Sequence, residues 1–415
     1  MCGPSCSVPN PVPTTRAGWP TRAPDTNGND PAPTTILDAD ALVDRARDIV
    51  KTLRDNAGLT ERDLTPAPAS VDAVREAGLF AITVPREYGG HGANLPTLVR
   101  VAVELGQGCP STAWVFSLSS AAKLMTGAVQ TGRARDAYFA DPHCVVCASG
   151  VIGGHGETVP GGLSLTGKWR MASGCEVATW AFLVTPIVRD GAPAGGAGVL
   201  VPVADLTVER SWDAAGLGGT GSHTLVADGV FVEDAFVALP PPGATMPQPP
   251  ARLTIGAVLA HLAPMLGAAK GAHQVVEELL RGDKAPFQTT YRRMADSPLA
   301  RLWFAEATRL VDAAVERSIR VAELLDRTGD VPPMPSLDRS TLRMELVTAA
   351  QECRAALGKL LDLHGASGFQ HANPLQRFWR DVEVGTRYAG LNPFITAEDH
   401  SRLLLTDEPP VSMAL

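Results

Sequence analysis

The chain has 415 residues, of which 45% are hydrophobic and 19% charged, and its formal net charge is −8. That length suggests about two or three domains, and the composition is that of an ordinary globular protein. The acidic balance, with no long basic run, argues against nucleic acid and membranes as partners, and the apolar stretches are broken well short of the roughly 20 residues that span a bilayer.

The start, Met1-Cys2-Gly3-Pro4, has no basic stretch followed by an apolar one, so it does not read as a signal peptide. The seven cysteines are too scattered for a disulfide framework, and Cys144-x-x-Cys147 lacks the second pair that zinc would want. A reducing, cytoplasmic setting with no metal is expected.

Residues 1–36 are rich in Pro, Thr, Gly and Asn and read as a disordered tail. Residues 37–140 read as an N-terminal helical domain. Within it, 39–56 place Ala41, Leu42, Ala46, Ile49, Val50 and Leu53 at helical spacing. Ser70 to Gly78 shows an N-cap serine and a closing glycine, and 95–106 and 111–130 carry two more helices. From 141 to 238 the runs become short and β-branched: His143–Ala148, Leu163–Met171, Trp180–Val188, Gly198–Val203 and Thr224–Val232. Turn residues separate them, which predicts a central antiparallel β-domain rather than βαβ units. A Pro-rich linker covers 239–251. Over 252–415 the helical period returns in Leu253–Leu280, 298–329, 337–363 and 374–388, predicting a C-terminal four-helix bundle. The fold class is therefore α+β.

Five motifs give this order a further meaning. Ala77–Phe80 with Val84-Pro85-Arg86-Glu87-Tyr88-Gly89-Gly90 resembles the "GL…PxxYGG" segment of the acyl-CoA dehydrogenase superfamily. Ser111-Thr112-Ala113-Trp114 resembles the "STxW" helix of its flavin-dependent hydroxylase branch. Gly167–Gly174 resembles "GxWxxxSG", Gly216–Ser222 resembles "GLRGTGS" with Gly218 in place of the arginine, and Pro374–Asp381 resembles "PLQRxWRD". Together they span roughly residues 40–405. The resemblance implies the acyl-CoA dehydrogenase fold and a two-component monooxygenase that takes reduced flavin (FMN or FAD) from a separate reductase. It also implies a homotetramer acting on a small molecule.

A flat isoalloxazine ring needs an apolar slot with a few polar groups. The resemblance places Trp114, Ser149, Trp169, Ser173, Gly219, Gly221, Ser222, Gly365, Arg380 and Asp381 at this cofactor. Trp169 could equally be a sheet-packing aromatic, Ser149 and Ser173 strand-end turn serines, and Arg380 and Asp381 a local charge pair in the final helix. Ser173, His223 and Tyr388 are the candidates for catalysis. Ser173 suits a hydrogen-bond role at the flavin N5 edge, His223 follows the glycine loop directly, and Tyr388 could orient a substrate. His261 lies in an apolar helix and could face site or core. His364 and His371 flank the Gly365–Gly368 loop, which in the family reaches a neighbouring subunit's flavin.

A fatty-acyl dehydrogenase needs a carboxylate base over the ring. The family's usual glutamate position is Ala389 here, and no acidic residue occurs between Asp234 and Glu277, where the alternative base would lie. That argues for oxygenation. The branch's usual histidines are also replaced, by Ala122 (beside Lys123) and Tyr388. The expectation is therefore N-oxidation of an amine or, as the alternative, hydroxylation, in secondary metabolism. A dehydrogenase or oxidase with an atypical base and a non-catalytic scaffold are the competing readings.

Overall fold

The structure, a computed structural model, describes residues 36–239, 250–329, 333–406 and 408–412. Of the tail expected over 1–36, all but Ile36 lies outside these residues, as does most of the linker at 239–251.

Five helices open the described chain. α1 (Ala39–Asp63) begins where Asp38 accepts from Ala41 N and ends at Leu64, whose φ of 55° turns the chain out of the helix. Its buried stripe of Leu42, Ala46, Leu53 and Ala57 is the one the periodicity predicts. α2 (Pro68–Glu76) starts earlier than expected. Ala67 is its N-cap and Pro68 its first residue, while Ser70 is buried inside the first turn. Proline at the first helical position supplies the start signal, because its missing N–H has no helical partner to lose. α3 (Leu95–Gly106) and α4 (Pro110–Val129) follow, and then α5 (Gly132–Phe139), too short to announce itself by period. Lys123 on α4 is fully buried and donates to Phe80 O and Pro142 O, which ties α4 to the turn after α2 and to the approach of the sheet. Burial lowers its pKa.

Eight strands make one sheet: β1 (Val146–Ser149), β2 (Gly154–Val159), β3 (Gly162–Ala172), β4 (Trp180–Arg189), β5 (Ala192–Pro202), β6 (Thr207–Glu209), β7 (His223–Glu233) and β8 (Val237–Ala238). Their order is β6-β7-β3-β2-β4-β5-β8, with β1 also on β4. The sheet is mixed, not antiparallel throughout, because both β1 and β2 run parallel to β4. The three strands absent from the expectation are short or glycine-rich. β2 reads Gly-His-Gly-Glu-Thr-Val, β6 has three residues and β8 two.

The C-terminal part holds α6 (Ala251–Arg281), α7 (Pro298–Thr328), α8 (Ser336–His364), α9 (Pro374–Gly385) and α10 (Pro393–Leu405). α10 is a fifth helix beyond the expected four. Its buried residues are Thr396 and Asp399, so it shows no apolar period, and it docks on α8 through the buried Arg343–Asp399 ion pair at 3.1 Å. By length and composition α6 is apolar enough to cross a membrane, which corrects the reading that every apolar stretch is too short; 72% of its most apolar window is buried inside the fold. One hydrophobic core joins Leu53 of α1, Leu98 of α3, Phe116 of α4, Leu262 of α6, Leu346 of α8 and Phe378 of α9.

The loop at 216–221 is wedged between α1 and α9. A Cβ on Gly216 would lie 2.1 Å from Arg380 O, and one on Gly219 would lie 2.4 Å from Thr60 Cγ2 and 2.7 Å from Thr60 O. Backbone atoms crowd both positions, joined at Gly219 by the branched side chain of Thr60, so neither contact can relax cheaply. Gly216→Ala is expected to destabilise the protein by about 1–3 kcal/mol. Denaturant unfolding checks this, and an unchanged midpoint would show that the wedge is looser than described.

Candidate functional site

A bulge in β3 starts the site. The β3–β7 register slips between Trp169, opposite Leu225, and Ala172, opposite His223. Met171 takes a φ of 62° at this slip and is 55% exposed. Bulges of this kind bend a strand and re-aim its side chains. Ser173 and Ser222 then lie just beyond the last paired residues, Ala172 and His223. Their hydroxyls meet at 2.7 Å.

Two helices complete the cluster. Trp114 of α4 donates its indole N–H to Ser173 Oγ at 3.2 Å. Its ring stands edge-on to His261 of α6, at 84° with centroids 5.0 Å apart. His261 in turn stacks on Tyr388, at 3.7 Å and 5°. On the other side, Ser222 Oγ lies 2.7 Å from Thr220 Oγ1, which donates to Leu217 O at 2.8 Å. Among the described residues, no carboxylate hydrogen-bonds to any member of this cluster.

His261 is held neutral. Nδ1 donates to Ala257 O at 2.6 Å, which fixes the tautomer and leaves Nε2 as an acceptor. Burial pushes its pKa down to about 4, against a smaller opposing effect of Ala257 O. Burial also raises the pKa of the Tyr388 hydroxyl. Tyr388 follows the end of α9 in a turn, not within a helix.

Several expected site residues have other employment. Trp169 is fully buried and donates to Val184 O at 3.0 Å, so it packs the sheet and offers no wall to a slot. The Ser149 hydroxyl donates to Arg170 O at 2.7 Å and accepts from Val151 N, joining the end of β1 to the bulge. His223 is fully buried. Its ring nitrogens meet groups outside the cluster. Its Nδ1 accepts from Trp212 N, and Nε2 lies 3.7 Å from Glu176. Gly219 and Gly221 answer to α1, since a Cβ on Gly221 would sit 3.0 Å from Leu64 O. Gly365 ends α8 with φ 75°, beside His364, and among the described residues shares no hydrogen bond with the cluster.

Arg380 and Asp381 do not pair with each other, because adjacent residues on a helix do not face. Arg380 reaches Glu61 at 2.5 Å and donates to Ala215 O at 2.6 Å. Asp381 is buried and accepts from Leu217 N at 2.5 Å. α9 is also not the final helix, since α10 follows it.

Beside the bulge, Val151 and Ile152 are exposed with Met171. Val151 N donates to Ser149, whose hydroxyl donates to Arg170 O in the bulge, and exposed apolar side chains of this kind are what one face of a flat ring would need. By contrast, a cavity of about 550 Å³ between α1, α3 and α6 is lined mostly by charged and polar groups, among which Arg47 lies on Glu104 and Arg54 on Gln274.

Residues 38–132 match the acyl-CoA dehydrogenase N-terminal domain, and residues 259–393 match its C-terminal domain. The flavin-dependent monooxygenase oxygenase subunit HsaA of Rhodococcus jostii is 31% identical over 83% of this chain and 93% of that protein. The chain belongs to the acyl-CoA dehydrogenase family. Within it, the chain is an oxidoreductase of the flavin-dependent monooxygenase class. The FADH2-dependent resorcinol hydroxylase oxygenase component of a Rhizobium species is also 31% identical, over 85% of this chain and 90% of that one. The structure of XiaF from a Streptomyces species, in complex with FADH2 and glycerol, superposes with a TM-score of 0.83 at 29% identity. It covers 91% of this chain and 98% of that one.

Thr220 and His261 are the two cluster members outside the expected site set. A signal for Thr220 exists in Thr220-x-Ser222, two hydroxyls spaced two apart before a strand. His261 has none, because an apolar helix does not say which face meets Trp114.

The buried carboxyl of Asp381 yields a pH test. Burial pushes its pKa from 3.8 up to about 7, against the lowering effects of Leu217 N–H and Arg377. The folded state thus holds this proton more tightly than the unfolded one. The contribution is fully present below about pH 4 and is lost as pH rises through about 7. Asp381→Asn keeps an acceptor for Leu217 N–H, so its unfolding free energy should fall less steeply than the wild type's across that window. Parallel curves in urea titrations at several pH values would contradict this account.

Proposed function

We propose that this monooxygenase is the oxygenase component of a two-component system. It takes reduced FMN or FAD from a separate reductase and, with molecular oxygen, hydroxylates a small aromatic molecule bearing a hydroxyl or ring N–H donor. The observation that carries this reading is the make-up of the cluster: Trp114, Ser173, Ser222, Tyr388 and a neutral His261, with no carboxylate among their hydrogen-bond partners in the described residues. Removing a proton from a carbon acid needs a base matched to that task, and none is supplied.

The flavin, when bound, supplies the oxygen-activating chemistry. The chain's own groups do the rest. Val151, Ile152 and Met171 give the ring apolar contact, and Ser173 holds its polar edge. Trp114 and Tyr388 wall off water around His261, and desolvation strengthens every polar contact made there. His261 Nε2 accepts from the substrate's donor and so orients its ring. This replaces the preference for N-oxidation. That preference rested on the lack of an imidazole at the Ala122 and Tyr388 positions, whereas His261 brings one to Tyr388 from α6. The exposed Phe287, Leu299 and Leu302 support assembly into a homotetramer, in which the Gly365–Gly368 loop would approach a neighbour's flavin.

The test supplies reduced flavin, oxygen and a small phenol such as resorcinol, and measures hydroxylated product against hydrogen peroxide released. Product should dominate in the wild type. His261→Phe should lower the product share by about tenfold or more while still binding reduced flavin, and His261→Gln, which keeps an acceptor, should recover part of it. Reduction of bound oxidised flavin by an acyl thioester, with no oxygenated product from any phenol, would sink the reading.

A further inference from the structure

The hydroxyl relay has a direction. Each hydroxyl carries one hydrogen, and a backbone carbonyl only accepts. Thr220 therefore gives its hydrogen to Leu217 O. The 2.7 Å contact between Thr220 and Ser222 must then be donated by Ser222. By the same count, the 2.7 Å contact between Ser222 and Ser173 is donated by Ser173. Trp114 adds an N–H that points at Ser173 Oγ. Ser173 is left with its hydrogen turned inward and a lone pair facing outward.

The geometry points to Ser173 as an acceptor locked by this relay, which makes the site select reduced over oxidised flavin. This rests on the reading above that the flavin's N5 edge meets Ser173. Reduced flavin carries a hydrogen on N5 and can donate it to the waiting lone pair. Oxidised flavin has a lone pair at N5, so two acceptors would face each other unless Ser173 abandons Ser222. An unmet acceptor of that kind corresponds to a preference of about ten- to a hundredfold for the reduced form. By linkage, each tenfold raises the two-electron potential of the bound flavin by about 30 mV over the free one. Ser222 and Thr220 are positioning residues in this scheme, acting only through Ser173. The relay gives an oxygenase component a structural means of taking reduced flavin and releasing it once oxidised.

Anaerobic titration of the full chain with FMN and with FAD, each oxidised and dithionite-reduced, tests this. The wild type should bind the reduced form about ten- to a hundredfold more tightly. Ser222→Ala frees the Ser173 hydrogen to turn outward. Thr220→Val lets Ser222 donate back to Ser173, with the same result. Both variants should bind oxidised flavin about five- to tenfold more tightly than the wild type, narrowing the preference. Ser173→Ala should lose the preference without that gain. A loop that merely folds worse would weaken both redox forms together, so a gain in oxidised-flavin affinity is the decisive sign. Equal wild-type affinities, or an unchanged preference in both Ser222→Ala and Thr220→Val, overturn the relay while leaving the flavin reading intact. Failure to bind flavin in either redox state overturns that reading and the relay with it.

Discussion

Leu217 is held at both of its backbone ends, and the site is assembled around it. Its N–H donates to the buried carboxyl of Asp381, and its carbonyl accepts from Thr220 and from the indole of Trp212. Its φ of 55° is unfavourable for a branched residue. The conformation persists because α1 and α9 close on the loop from two sides, leaving no room for a Cβ at Gly216 or Gly219. A buried carboxylate is costly, and the raised pKa of Asp381 expresses that cost. What it achieves is to satisfy a buried N–H that no helix or sheet ladder reaches.

The chemistry follows from that fixed carbonyl. Because Leu217 O can only accept, it sets the hydrogen direction through Thr220, Ser222 and Ser173 in turn. The bulge at Met171 delivers Ser173 to the end of this chain of hydroxyls, and Trp114 closes it from α4. Three parts of the sequence, a helix, a strand end and a glycine loop, therefore control one hydroxyl. The same geometry gives the glycines a packing role: they let two helices press the loop into register.

His261 complements this arrangement. An imidazole with its Nδ1 hydrogen committed to its own helix, and its ring between Trp114 and Tyr388, stays neutral and accepts a hydrogen bond. Among the described residues no carboxylate is bonded into the cluster, which suits the proposed role of orienting a donor rather than removing a proton from carbon.

The sequence by itself determined the succession of helices, strands and helices. α1, α3, α4 and α6 to α9 carry long apolar periods that only a helix can bury on one side. It also determined the family, through motifs that are each contiguous in the chain, and the absence of an acid at Ala389. Short elements escaped it. α10 docks through the Arg343–Asp399 pair rather than an apolar stripe, and β2 is too rich in glycine to alternate. The roles of individual residues were decided by tertiary structure alone. Whether Trp169 walls a ligand or fills the sheet depends on Val184 lying across from it, and whether Asp381 meets Arg380 or Leu217 depends on which loop arrives. Such choices are made by partners more than a hundred residues away in the case of Asp381, and by helix faces, as for His261, that no local pattern encodes.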